Sequence, residues 1–220
     1  MGWVLIKVLL VDDHDLVRMG ISRMLSDVAD IQVVGEACTG EAAIKLVREL
    51  KPHVVLMDVQ MPGIGGVEAT RKLALSFPDL GILVVTVCEE EPFPSRILKA
   101  GALGYITKGT DLAEMVCAIR KVALGQRYLS ADVAALLADN WLEKDKKNAS
   151  PFELLSEREM QVATMIVNGR SVQEIADYLF VSPKTISTYR HRIYDKVAVD
   201  NDVQLTYLAM RFGLVQGDKF

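Results

Sequence analysis

Val54-Val55-Leu56-Met57-Asp58-Val59-Gln60-Met61-Pro62-Gly63 decides how this chain is read. Four apolar residues run straight into one carboxylate, and a Pro-Gly turn follows. A run this short and this apolar fits a strand buried on both faces of a parallel sheet. Asp58 then stands at the strand's carboxyl end, where open α/β sheets hold their ligands. An acid in that position costs desolvation energy unless a neighbouring group wants a carboxylate there.

Working outward, strand and helix patterns alternate over the first ~125 residues. Strands are predicted at Val4–Val11, Ile31–Ala37, His53–Met57, Ile82–Val87 and Gly104–Thr107. Helices are predicted at Asp15–Leu25, with Leu16, Val17, Ile21, Met24 and Leu25 as its apolar stripe, and at Glu41–Leu50, Glu68–Ser76, Pro94–Ala100 and Asp111–Leu124. Asp111 with Glu114 reads as a capping box, and Gly125 ends that last helix. The expectation is a doubly wound, five-stranded parallel sheet. Ser130–Trp141 reads as a connector helix, and the charged stretch Glu143–Pro151 as a linker.

Beyond the linker the strand signal stops. Residues 156–168, 171–179, 182–197 and 202–213 read as four helices. Ser156 with Glu159 and Ser171 with Glu174 form two more capping boxes, and Ser182-Pro183 opens the third helix. The fold class expected is therefore α/β followed by all-α. The boundaries are 1–127 for the sheet domain, 128–152 for connector and linker, and 153–220 for the helical domain.

Composition narrows the function classes. The net charge is −4 and half of the 220 residues are hydrophobic. Split at Ser150, the first part carries 17 Lys/Arg against 20 Asp/Glu and the second 8 against 9, so any nucleic-acid footprint must be local. Cys38, Cys88 and Cys117 are scattered and fit reduced core thiols of a cytosolic protein. No apolar run reaches the ~18–20 residues of a membrane span, and the N-terminus lacks a signal-peptide pattern.

Asp12 and Asp13 end the first strand as Asp58 ends the third. In a doubly wound sheet these strands are neighbours where the winding reverses, so three carboxylates converge. Like charges that close call for a cation, and carboxylates with a backbone carbonyl suit Mg²⁺. Taken alone, Asp12-Asp13 reads equally well as a cap for the helix at Asp15. Thr86 and Lys108 tip the balance by bringing a hydroxyl and an ammonium to the same edge, the parts of a phosphoryl-transfer site. His14 beside Asp13 reads as a half-buried neighbour rather than an acid–base group.

In the helical domain, Ser171–Leu179 and Ser182–Val197 flank the turn Phe180-Val181, a helix-turn-helix in which Ala176 permits a close crossing. The second helix carries Lys184, Arg190, His191, Arg192 and Lys196 against Asp195. Lys184, Ser187, Thr188 and His191 are expected to face the major groove, with Thr185, Tyr189, Arg190 and Arg192 on the DNA backbone. Leu205, Leu208, Ala209 and Phe212 of the final helix suit either a two-fold contact or the domain's own core.

The motifs V-L-L-V-D-D-H, V-V-L-M-D-V-Q-M-P-G, V-V-T-V and G-Y-I-T-K resemble the receiver domain of two-component response regulators. L-S-E-R-E and I-A-D-Y-L-F-V-S-P-K-T-I-S-T-Y-R-H-R-I-Y-D-K resemble the LuxR-type helix-turn-helix. Together they are similar to the NarL/FixJ class, in detail to its GacA/UvrY subfamily. The resemblance implies Asp58 as phosphoacceptor and Asp12, Asp13, Asp58 and the Gln60 carbonyl as Mg²⁺ ligands. It also implies Lys108 and Thr86 on the phosphoryl group, and Tyr105 as the aromatic that turns inward. Gly109 departs from the Pro usual after that lysine.

The class implies a cytoplasmic transcriptional activator, dimeric when phosphorylated, on inverted-repeat DNA. A membrane-bound hybrid sensor kinase is the implied phosphodonor, small regulatory RNA genes are implied targets, and RNA polymerase is an implied partner. Two other readings use the same residues: a phosphatase with Asp58 as turnover nucleophile, and an adaptor whose helical domain binds protein.

Overall fold

The computed structural model describes residues 5–87, 93–143, 150–212 and 214. The chain falls into two compact units, and the break lies between Leu137 and Ala138.

The first unit alternates β1 (Ile6–Val11), α1 (Asp15–Ser26), β2 (Ile31–Ala37), α2 (Gly40–Leu50), β3 (Val54–Met57), α3 (Gly65–Ser76), β4 (Gly81–Thr86), α4 (Phe93–Lys99), β5 (Gly104–Thr107) and α5 (Leu112–Ala123). Every strand pair is parallel, and the order is β2-β1-β3-β4-β5-β6, with β6 at Tyr128–Leu129. β3 and β4 are buried along their whole length, as their unbroken apolar runs require. On one face, Val8, Leu10, Val54, Leu56, Leu83 and Val85 join Ile21 and Leu25 of α1 and Met115, Ile119 and Val122 of α5 in one core. The alternate residues Leu9, Val55, Ile82 and Val84 are also fully buried, and α2 packs on β1 and β2 and against α3.

The sheet has six strands where five were expected. β6 is two residues long, too short to show any period. Only its backbone bonds reveal it: Tyr128 N donates to Leu103 O at 3.0 Å and Ser130 N to Tyr105 O at 3.1 Å. The expected connector thus begins inside the sheet. Its helix, α6 (Ala131–Glu143), follows directly and crosses the division between the units.

Three further expectations need correction. Asp111 caps α5 by accepting from Glu114 N, but the Glu114 carboxylate accepts from the Tyr128 hydroxyl at 2.9 Å instead of closing a capping box. Burial and that bond push the Tyr128 hydroxyl up to about 12. Cys38 and Cys117 are exposed free thiols rather than core residues, because each falls on the outward side of its segment. In α1, Leu16 and Met24 of the predicted stripe are exposed, leaving Ile21 and Leu25 as its buried anchors. Val4, Cys88 and linker residues 144–149 lie outside the described residues.

The second unit is helical: a 3₁₀ turn at Pro151–Leu154, then α7 (Glu157–Val167), α8 (Val172–Tyr178), α9 (Pro183–Val197) and α10 (Asp202–Arg211). Both predicted capping boxes are complete, and Ser182 accepts from Thr185 N with Pro183 in the first turn. Phe152, Val162, Ile175, Ala176, Ile186, Ile193 and Leu205 share the core. Phe212 meets Phe152 edge-on at 6.4 Å, and Leu205 and Ala209 are fully buried, so these residues close the domain's core. The side of α10 left exposed carries Val203 and Tyr207. Among the described residues, no helix is long and apolar enough to cross a membrane.

Candidate functional site

β1 and β3 lie side by side with Val11 opposite Met57, so Asp12 and Asp58 leave the sheet together at its carboxyl edge. Asp58 N donates to Val11 O at 2.8 Å, and Asp12 N to Ala37 O at 3.1 Å. The winding reverses between these strands, which opens a crevice there. Two glycines let α3 close up behind it. A Cβ at Gly66 would lie 1.9 Å from Asp58 O, and one at Gly63, where φ is +74°, would strike the Glu41 carboxylate at 2.5 Å. That carboxylate accepts from Ile64 N at 3.1 Å.

Asp58 is 2% exposed and Asp12 4%. Two buried carboxylates would be very costly alone. Lys108 Nζ sits between them, 2.6 Å from Asp12 Oδ2 and 2.9 Å from Asp58 Oδ2. β4 and β5 carry it there, since Thr86 pairs with Thr107 and Lys108 N donates to Thr86 O at 2.9 Å. Val59 N donates to Asp58 Oδ1 at 2.7 Å.

Burial pushes the Asp58 carboxyl above its ordinary value, and the Lys108 charge opposes this without cancelling it. Burial pulls the Lys108 ammonium down, but its two carboxylate partners together outweigh that and raise it. The oxygens of Asp12, Asp13 and Asp58 and a ring nitrogen of His14 lie within 4.8 Å of one another. Such an oxygen-rich, anionic cluster suits a hard divalent cation. Thr86 and Tyr105 are fully buried at the end of β4 and in β5, and Gln60 is exposed in the loop after β3.

His14 and Arg18 form a rim that residue patterns understate. His14 is exposed, not half-buried, because it stands before the first turn of α1. Its Nδ1 is 2.8 Å from Asp13 Oδ1 and 3.2 Å from Asp12 Oδ1. Arg18 donates to Asp12 O at 2.6 Å and also bonds Asp15. The spacing of Asp15 and Arg18 signals an ordinary helix pair, but nothing in it points to a bond with the pocket's backbone.

In the second unit α9 presents Lys184, Ser187, Thr188, His191 and Arg192 to solvent, with Thr185 and Tyr189 half-buried. Ser187 and Thr188 hydroxyls bond the carbonyls one turn back, at Pro183 and Lys184. Among the described residues, neither Lys184 nor Arg192 has a carboxylate partner. Arg190 and Lys196 each have one: Asp202 at 2.6 Å and Glu159 at 2.7 Å. Capping, a buried Ala176 on α8, which packs against α9, and an exposed hydroxyl- and cation-bearing face on α9 fit the second helix of a helix-turn-helix.

The chain matches the response regulator receiver domain over residues 8–120 and the bacterial regulatory proteins of the luxR family over residues 153–209. It is a response regulator of the luxR family. Among relatives of this response regulator, GacA of Pseudomonas syringae pv. syringae (strain B728a) is 59% identical over 211 residues, 96% of this chain and 98% of that protein. UvrY of Escherichia coli (strain K12) is 50% identical over 214 residues, 97% of this chain and 98% of UvrY. The structure of RcsB from Salmonella enterica serovar Typhimurium, bound to promoter P1flhDC in the presence of the phosphomimetic BeF₃⁻, is similar with a TM-score of 0.65 and 27% identity. That likeness spans 93% of this chain and 98% of RcsB. The response regulator therefore pairs a receiver with a LuxR-type DNA-binding domain and is a DNA-binding transcriptional regulator.

Proposed function

We propose that Asp58 is the phosphoacceptor and that its phosphorylation controls DNA binding by α9. One observation carries this: a buried carboxylate at the crevice of a parallel sheet, bonded to a lysine shared with a second acid. An Asp58 oxygen attacks phosphorus, the donor's phosphorus–leaving-group bond breaks, and an acyl phosphate forms. Lys108 then pairs with the new phosphoryl oxygens, Thr86 donates to them, and Tyr105 holds the inward position. Asp12, Asp13, Asp58 and the Gln60 carbonyl would hold Mg²⁺. When bound, that ion neutralises charge on the transferred group.

The donor is a membrane-bound hybrid sensor kinase, and the protein works in the cytoplasm. The domains run 1–127 and 153–220, joined by 128–152, whose first residues form β6. Lys184, Ser187, Thr188 and His191 enter the major groove, while Thr185, Tyr189 and Arg192 meet phosphates. A dimer binds an inverted repeat through its two copies of α9, and the Val203–Tyr207 side of α10 supplies the two-fold contact. The promoters of small regulatory RNAs are the targets, activated with RNA polymerase. The GacA and UvrY relatives and the promoter-bound, phosphomimetic RcsB structure support this reading.

The test is Asp58→Asn against the unsubstituted protein, with acetyl phosphate and Mg²⁺ as donor. Phosphate-affinity gels should show a shifted band only with Asp58, and donor-stimulated DNA binding should vanish with it. Stimulated binding that survives Asp58→Asn overturns the proposal.

A further inference from the structure

The cations of α9 are not equivalent, and their angles around the helix separate them. At about 100° per residue, and with Lys184 at zero, Ser187, Thr188, His191 and Arg192 fall within roughly 80° of it. The buried residues Ile186, Ile193 and Val197 lie opposite, at about 180–220°. Lys196 at about 120° and Arg190 at about 240° flank that buried face, one on each side. Each reaches sideways to a different helix. Lys196 Nζ bonds Glu159 Oε2 of α7 at 2.7 Å, and Arg190 bonds Asp202 Oδ2 of α10 at 2.6 Å. Tyr194 bonds the other Asp202 oxygen and accepts from Arg190 at 3.1 Å.

Glu159 is 4% exposed, and the same oxygen also accepts from Ser156 N at 2.8 Å. It therefore links the cap of α7 to the last turn of α9. Burial of Ile186, Ile193 and Val197 sets which face of α9 turns inward. Directional ion pairs on both flanks of that face add to the hold on its rotation.

We propose that Glu159–Lys196 and Asp202–Arg190 are lateral braces that fix the rotation of α9, making Glu159 and Asp202 positioning residues for DNA recognition. Lys196 and Arg190 then serve position rather than phosphate contact. This rests on the DNA-binding reading of α9. The sign of one measurement separates the two roles. Removing a carboxylate from a DNA-binding domain strengthens attraction to DNA if charge is all that matters. Removing a brace weakens binding instead.

The experiment uses the full chain and a duplex selected by the unsubstituted protein from a random-sequence pool with beryllofluoride and Mg²⁺. Glu159→Gln and Asp202→Asn should each weaken binding about tenfold, against the charge trend. Lys196→Met should match Glu159→Gln, and the double variant should bind no worse than either single one. The slope of log K against log salt should stay unchanged in Lys196→Met but fall by about one in Arg192→Gln. Glutamine still caps Ser156, so α7 keeps its start.

Binding as tight or tighter in the two acid variants, or a slope lowered by about one in Lys196→Met, overturns the proposal. Amide hydrogen exchange without DNA is an independent arm. Faster exchange along α9 in Glu159→Gln and Asp202→Asn supports the braces, and unchanged exchange overturns them. If the unsubstituted protein selects no duplex, the DNA-binding reading fails while the exchange arm still decides the braces.

Discussion

Burial makes the Asp58 carboxyl easier to protonate than it would be in water. Its carboxyl is raised above the ordinary value, first by burial and then by the nearby Asp12 charge, with Lys108 opposing. A folded value above the unfolded one means that this group favours the fold most below the unfolded carboxylate value of about 4. That contribution is lost as pH rises through the folded value. Ionising Asp58 in the fold therefore works against stability, and a cation in the pocket would favour the ionised form. Asp58→Asn should raise the melting temperature of the sheet unit at pH 7 by a few degrees, for roughly 1 kcal/mol, with the gain shrinking towards pH 4. An unchanged or lower melting temperature at pH 7 would mean that a carboxyl at this position costs the fold nothing. The four charged anchors were readable because each ends or follows an apolar strand run. His14 and Arg18 were not, since their roles depend on where α1 begins and which carbonyl its first turn approaches.

At the scale of elements, strands and helices with strong periodicity followed the sequence closely, and short or edge features did not. β6 has too few residues to carry a pattern and exists only through its bonds to β5. The α10 stripe was readable, but which of two uses it served depended on Phe152, sixty positions away in sequence, roughly five times a typical helix's length. A comparable long-range link ties α5 to the turn before β2, where Arg120 makes two 2.8 Å bonds to Asp30. The Arg120 hydrogen bonds hold the Asp30 carboxyl below the usual carboxylate range. A lowered folded value means stability present above about pH 4 and lost as pH falls through the folded value. Asp30→Asn should therefore cost about 1 kcal/mol at pH 7, a modest figure because Arg120 is half in water, and almost nothing at pH 2. Urea unfolding at both pH values checks this, and an equal loss at each would exclude the ion pair as its cause.

For the whole molecule, the sheet unit and the helical unit each bury a core of their own. Calorimetry should resolve two transitions, and beryllofluoride with Mg²⁺ should raise only that of the sheet unit. One merged transition that moves as a whole would show the two units unfolding as one. What the sequence by itself determined is the order of elements, the division into an α/β and a helical part, and the strand-end placement of Asp12, Asp13, Asp58, Thr86 and Lys108. These follow from local periodicity and turn chemistry, which each segment carries within itself. Only the tertiary structure decided that Lys108 bridges two acids, that Cys38 and Cys117 face water, that α10 turns Leu205 inward and Tyr207 outward, and that Arg190 and Lys196 bind neighbouring helices. Each of those depends on which distant group a side chain meets. A long flexible cation looks the same in sequence whether it reaches solvent, a phosphate or a buried carboxylate.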